Sequence, residues 1–199
     1  MKTKSFSCRL ALTIRKIMIP PVMSVLFFAV LYRLPIGIFT RTADFAAAVL
    51  CIGLFPVLAY PVSVLVPGIR KKGREGQRNL AFVFSVAGYL LGFLYSFIPG
   101  RSAQFRLITL IYVFSVAALL VFNKLLKIRA SGHSCAVTGP MLACLLLIGP
   151  KSLLPCLLLW GLSLWSSVIS GRHTLREFLT GALANLIAGV ASVLALTVL

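Results

Sequence analysis

Residues 178–199 read FLTGALANLIAGVASVLALTVL, from Phe178 to Leu199, without a single charged side chain. A hydrocarbon core about 30 Å thick takes roughly 20 apolar residues per helical crossing, with about 17 to 25 tolerated. That run alone is long enough to cross. Working back along the chain, seven such stretches can be marked: Ile17–Leu34, Asp44–Val66, Leu80–Pro99, Leu107–Asn123, His133–Gly149, Ser152–Ile169 and Arg176–Leu199. Sixty per cent of the residues are hydrophobic and mean hydropathy is +1.03, which excludes an ordinary soluble globular domain. Backbone amides in lipid must bond within their own segment, so the stretches are expected to be helices. The fold class expected is all-α, a polytopic transmembrane bundle of six to seven spans. Residues 1–16 form a basic N-terminal segment read as interfacial, and residues 17–199 a single transmembrane domain.

Two places qualify that count. Pro20-Pro21 cut the start of the first stretch and Arg33 its end, so six spans plus an interfacial helix is the alternative. Only Pro150-Lys151 separate the fifth from the sixth, which predicts a tight helical hairpin. Residues 1–16 lack the long apolar core and small-residue cleavage site of a secretory signal. The five cysteines show no metal-ligand spacing, and four fall inside predicted spans, where they read as small packing residues.

The net charge of +17 raises nucleic acid as a partner. Placement excludes it: lysines and arginines cluster at the ends of apolar runs, and no soluble basic domain remains to hold a duplex. With seven spans, the N-terminus and segments 69–79, 124–134 and 170–176 emerge on one face. If the first helix does not cross, the three segments still share a face. With seven spans, fifteen of the twenty basic residues lie on that face, which by the positive-inside rule places it in the cytoplasm. Removing Lys71, Arg78 and Arg172, which an anion site would need on either side, leaves twelve against five.

That face also carries both histidines and Glu177, which belongs to a set of just three acidic residues in the chain. His133 follows Ser131-Gly132 at a helix start, where small residues let backbone approach an anion and exposed amides turn positive dipole toward it. His173 precedes Glu177 by four positions, one helical turn. A carboxylate on one imidazole nitrogen fixes the tautomer and frees the other nitrogen as nucleophile or base. Thr174-Leu175-Arg176-Glu177 equally matches a capping box, in which Glu177 bonds back to the Thr174 amide. In the 69–79 loop, Lys71 and Arg78 supply a point charge and a planar fork for phosphate oxygens. The same loop also reads as a topology anchor for anionic headgroups.

In order and spacing these segments resemble the type 2 phosphatidic acid phosphatase superfamily of membrane lipid phosphatases, with the pattern Lys-x6-Arg-Pro, Pro-Ser-Gly-His and Ser-Arg-x5-His-x3-Asp. Lys71 and Arg78 have the first spacing, with Asn79 in place of proline. Ala130-Ser131-Gly132-His133 matches three of four positions in the second. In the third, Ser166, His173 and Glu177 take the serine, histidine and aspartate positions, and Ser167 stands where the family has arginine. Gly171-Arg172-His173-Thr174, with Gly181, also looks like bacterial members. The resemblance spans Lys71 to Gly181 and implies a bacterial inner or plasma membrane enzyme. By it, His173 attacks phosphorus to give a phosphohistidine, oriented by Glu177, and His133 protonates the leaving group. Lys71, Arg78, Ser131 and Gly132 hold oxygens, and no metal or cofactor is implied. Arg172, Arg129 and Lys127 are candidates to replace the missing arginine.

Three functions follow from these residues. The first is a metal-independent phosphatase acting on a lipid phosphate or isoprenyl diphosphate whose tail stays among the membrane lipids. The second is a phosphatase-like protein that binds anionic lipid without turnover. A transporter ranks last, because the predicted spans hold almost no charge in mid-helix.

Overall fold

The computed structural model describes residues 6–198, which are mostly helical with no strand among them. The helices are α1 (Phe6–Ile17) and α2 (Pro20–Arg33), then α3 (Thr42–Leu65), α4 (Gly73–Ser96) and α5 (Ala103–Leu125). They continue as α6 (Gly132–Ile148), α7 (Pro150–Ile169) and α8 (Leu175–Val198). Five of them, α3, α4, α5, α7 and α8, are long and apolar enough to cross a membrane. α1 and α2 make a sixth crossing if taken together. The 17-residue α6 stands at the lower limit of span length. Leu154, Leu158, Val190 and Leu194 stand more than 60% exposed on the outside, an apolar surface suited to lipid. The chain is an all-α, multi-pass membrane protein.

The first stretch is two helices rather than one. α1 and α2 meet at 57°, because Pro20 and Pro21 are tolerated only in the opening turn of a helix. Residues 6–17 pack along α7. Met18 and Met23 lie against Val137 and Met141 of α6, with Ile14, Cys156 and Trp160 around them. α3 is also irregular: Val49–Leu54 widens to a π-helix and Phe55–Leu58, containing Pro56, tightens to a 3₁₀ turn. Gly88 of α4 faces the Cys51 carbonyl of that wide segment with no room for a Cβ, so glycine allows the close approach. Around this contact Phe28, Ile52, Tyr89, Phe105 and Tyr112 form the main core.

α5 sets the distance between the two ends of the bundle. Its 23 residues rise about 35 Å at roughly 1.5 Å each, from the Arg101 loop to the segment 126–131. At the Arg101 end, Asp44 is sealed. Its side chain is 1% exposed and lies 3.0 Å from Arg101 Nε. Thr40 Oγ1 (2.7 Å), the Arg41 amide (3.0 Å) and Tyr95 OH (3.1 Å) donate to it. The other end carries the histidines.

Candidate functional site

Ser131 and Thr174 open α6 and α8, and their backbones join the two histidine segments. The Ser131 hydroxyl accepts from the Ser134 amide at 3.2 Å, the usual serine N-cap. The Ser131 amide donates to the Glu177 carbonyl at 2.9 Å, and the Ser134 hydroxyl to the Phe178 carbonyl at 2.6 Å. Gly181, one turn further along α8, faces the Ser131 backbone so closely that a Cβ would collide with its carbonyl. Asn123 holds the incoming strand of chain, donating to the Ala130 carbonyl at 3.3 Å and accepting its amide at 3.1 Å. The segments around His133 and Glu177 are therefore tied together by one main-chain bond and one serine hydroxyl bond to the main chain.

Glu177 performs both of the jobs that its spacing suggests, and with one oxygen. Oε2 accepts the Thr174 amide at 3.2 Å while Thr174 Oγ1 accepts the Glu177 amide at 3.2 Å, a complete capping box. The same Oε2 lies 3.1 Å from His173 Nδ1. Oε1 pairs with Arg129 Nε at 3.1 Å. An ionised carboxylate accepts hydrogen bonds without donating, so this network assigns the proton to Nδ1 and the lone pair to Nε2. His173 is 22% exposed and lines an open groove of about 480 Å³ with Arg129, Val168, Gly171, Arg172, Thr174 and Glu177. Partial burial holds its pKa below the ordinary histidine value. The Glu177 hydrogen bond opposes this, and the nearby Arg15 charge adds to it.

His133 is half-buried, with Nε2 3.4 Å from Ser163 Oγ, and interacts electrostatically with His173. The amides of Gly132 and His133 begin α6 and so have no acceptor within the helix. Arg172 is exposed, and its amide donates to the Ser167 carbonyl at 3.2 Å. Ser167 is fully buried, and its hydroxyl accepts Nη1 of Arg15 at 3.2 Å.

Of the residues singled out from sequence, His133, His173, Glu177, Ser131, Gly132 and Arg172 come together at this end. Lys71 and Arg78 do not line the groove, and both side chains are exposed. The 69–79 segment is no loose loop: α4 begins at Gly73, carries Arg78 in its second turn and packs on α3 and α5. Arg15 and Ser163 were not foreseen. Ser163 belongs to a readable polar stripe, Ser163, Ser166, Ser167 and Ser170, at helical spacing in otherwise apolar α7. Arg15 left no such signal. No protein-family model matches the chain, and no curated protein or solved structure matches it either.

Proposed function

We propose that this chain is an integral membrane phosphatase that hydrolyses a lipid phosphate or polyprenyl diphosphate at the membrane edge. The observation that carries this reading is the 3.1 Å contact between His173 Nδ1 and Glu177 in an open, cation-rich groove. Nε2 of His173 attacks phosphorus, and the bond from phosphorus to the lipid oxygen breaks. His133 gives a proton to that departing oxygen, leaving a phosphohistidine on His173. Water then attacks phosphorus as His133 takes its proton, which releases phosphate and restores His173. An arriving phosphate anion itself favours the protonated form of His133 that the first step needs. Arg172 and the opening amides of α6 hold the oxygens, since phosphoryl transfer depends mainly on positioning and charge neutralisation.

The position of the groove supports the substrate class. Leu175, Leu179 and Leu183 continue from it down the outer face of α8, so an acyl or isoprenyl tail can stay in hydrocarbon. The resemblance to the type 2 phosphatidic acid phosphatases supports the same chemistry and a bacterial plasma membrane. The excess of basic residues on this face favours a cytoplasmic opening. The resemblance implies a mechanism that uses no metal, and the proposal keeps to that.

A second reading is binding of anionic lipid headgroups without turnover, and one observation favours it. With Lys71 and Arg78 outside the groove, fewer cations surround the phosphate than the resemblance implies. Phosphate release by purified protein from phosphatidate, phosphatidylglycerol phosphate and undecaprenyl diphosphate, with EDTA present, separates the two. Release by wild type that is absent in His173→Ala supports the phosphatase. Headgroup binding with no release from any of the three substrates supports the second reading.

A further inference from the structure

Arg15 comes from a helix that is remote in sequence and does not line the groove wall itself, yet its guanidinium reaches the buried serine behind the His173 loop and acts on both imidazoles. It donates to Ser167 Oγ, 152 positions away. The Ser167 carbonyl meanwhile accepts the amides of Arg172 and His173 at 3.2 and 3.4 Å. One buried serine thus joins α1 to the loop that carries His173. Arg15 acts electrostatically on both imidazoles and repels Arg172. Among the described residues its one hydrogen bond is to that neutral hydroxyl, and no carboxylate pairs with it.

A half-buried guanidinium has five N–H donors, and with one of them on Ser167 the others are free to meet an anion. The local charges make the same point. Arg15, Arg129 and Arg172 face Glu177 alone, a surplus of about two positive charges with both histidines neutral. A phosphate group carries about −1.5 to −2 at neutral pH. Glu75 is exposed in the first turn of α4, and Asp44 is sealed at the far end of the bundle. Among the described residues Glu177 is the one carboxylate that lines the groove.

We propose that Arg15 is an anion-holding residue of the histidine groove, delivered in cis by α1, so that the phosphate site is complete only while α1 is docked on α7. This rests on the reading of the groove as a phosphate site. It extends that reading by naming a residue outside the stretch from Lys71 to Gly181 that the resemblance covers. Serine then stands at position 167 because the guanidinium arrives from α1 and needs a small hydroxyl to seat it.

The test is binding of inorganic phosphate to the full chain in detergent micelles, followed by calorimetry, with thermal unfolding measured on each variant. Wild type is expected to bind phosphate and Arg15→Gln to bind at least about tenfold more weakly, the scale of one charge-assisted hydrogen bond. Arg15→Lys, which keeps the charge but loses the fork, is expected in between. The exchange Arg15→Ser with Ser167→Arg returns a guanidinium from the opposite side of the same contact and is expected to recover most of the affinity. Wild-type affinity in Arg15→Gln overturns the proposal, and so does wild type that binds no phosphate. Failure of the exchange to restore binding, in protein that unfolds at the wild-type temperature, also overturns it. Phosphate binding that behaves as described, in protein that hydrolyses no lipid substrate, would refute the phosphatase and leave Arg15 in place.

Discussion

Asp44 and Glu177 stand at opposite ends of the bundle with nearly the same local chemistry. Each accepts a backbone amide in the opening turn of its helix, and each lies beside an arginine. Their surroundings differ. Asp44 is 1% exposed and Arg101 8%, with a threonine, a tyrosine and a main-chain amide completing the set. Glu177 is 13% exposed, Arg129 73% and His173 22%, and the groove beside them is open. A carboxylate enclosed by donors locks helices together. A carboxylate that shares an oxygen between a helix cap and an imidazole, with a cleft beside it, can orient a nucleophile. The difference lies in the imidazole and the opening rather than in the ion pair.

The sharpest way to break this comparison is to damage each end and read both stability and turnover. His173→Ala is expected to lower phosphate release by about 10⁴-fold or more, as loss of a nucleophile does, with little change in unfolding temperature. Asp44→Ala leaves Arg101 buried without its partner, which costs roughly 3 to 5 kcal/mol. Its turnover per folded molecule is expected to stay near wild type. A Asp44→Ala protein that is stable but inactive would erase the distinction between the ends.

Gly181→Ala tests how rigidly the histidine end must be built. The added Cβ collides with the Ser131 carbonyl, so α8 or the Ser131 turn must shift. Overpacking of this kind costs about 1 to 3 kcal/mol, and a displacement of about 1 Å at a reacting group can cost 10²-fold in rate. Turnover is therefore expected to fall more than stability does. Unchanged kcat would mean that the two histidine segments need not be held in register.

These expectations also mark what the sequence made legible. Uninterrupted apolar runs were enough to recognise the helical bundle, and helix parity returned Ser131, His133, His173 and Glu177 to one end. Glu177 was readable twice, as a cap and as an imidazole partner, because both depend on spacings within one turn. Lys71 and Arg78 had the spacing of a phosphate clamp, but spacing does not reveal that α4 begins at Gly73 and carries Arg78 onto a helix facing α3 and α5. Arg15 was hidden for the opposite reason. Its contact with Ser167 depends on how α1 folds back after Pro20-Pro21, a tertiary event with no local pattern.

The last and smallest expected effect is on pH dependence. His173 must be neutral at Nε2 to act as a nucleophile, and an unperturbed histidine protonates near pH 6.5. Partial burial, the largest influence, lowers its pKa, and the Arg15 and Arg129 charges lower it further. Glu177 raises it through the hydrogen bond and its charge, without reversing the outcome. The acid limb of turnover is therefore expected below pH 6.5, with activity retained where a free imidazole would already be charged. Stability follows the same sign. Between the folded pKa and 6.5 the unfolded chain binds the proton more readily, so stability falls as pH drops through that window and is unaffected by this group above it. Arg15→Gln removes a lowering influence and is expected to move the acid limb up toward 6.5. Glu177→Gln removes a raising one and is expected to move the limb down in whatever turnover remains. Asp44→Asn, at the end without an imidazole, is expected to move it in neither direction. A limb that shifts with Asp44→Asn but not with Arg15→Gln or Glu177→Gln would place the titrating group at the sealed end and reverse the roles assigned to the two carboxylates.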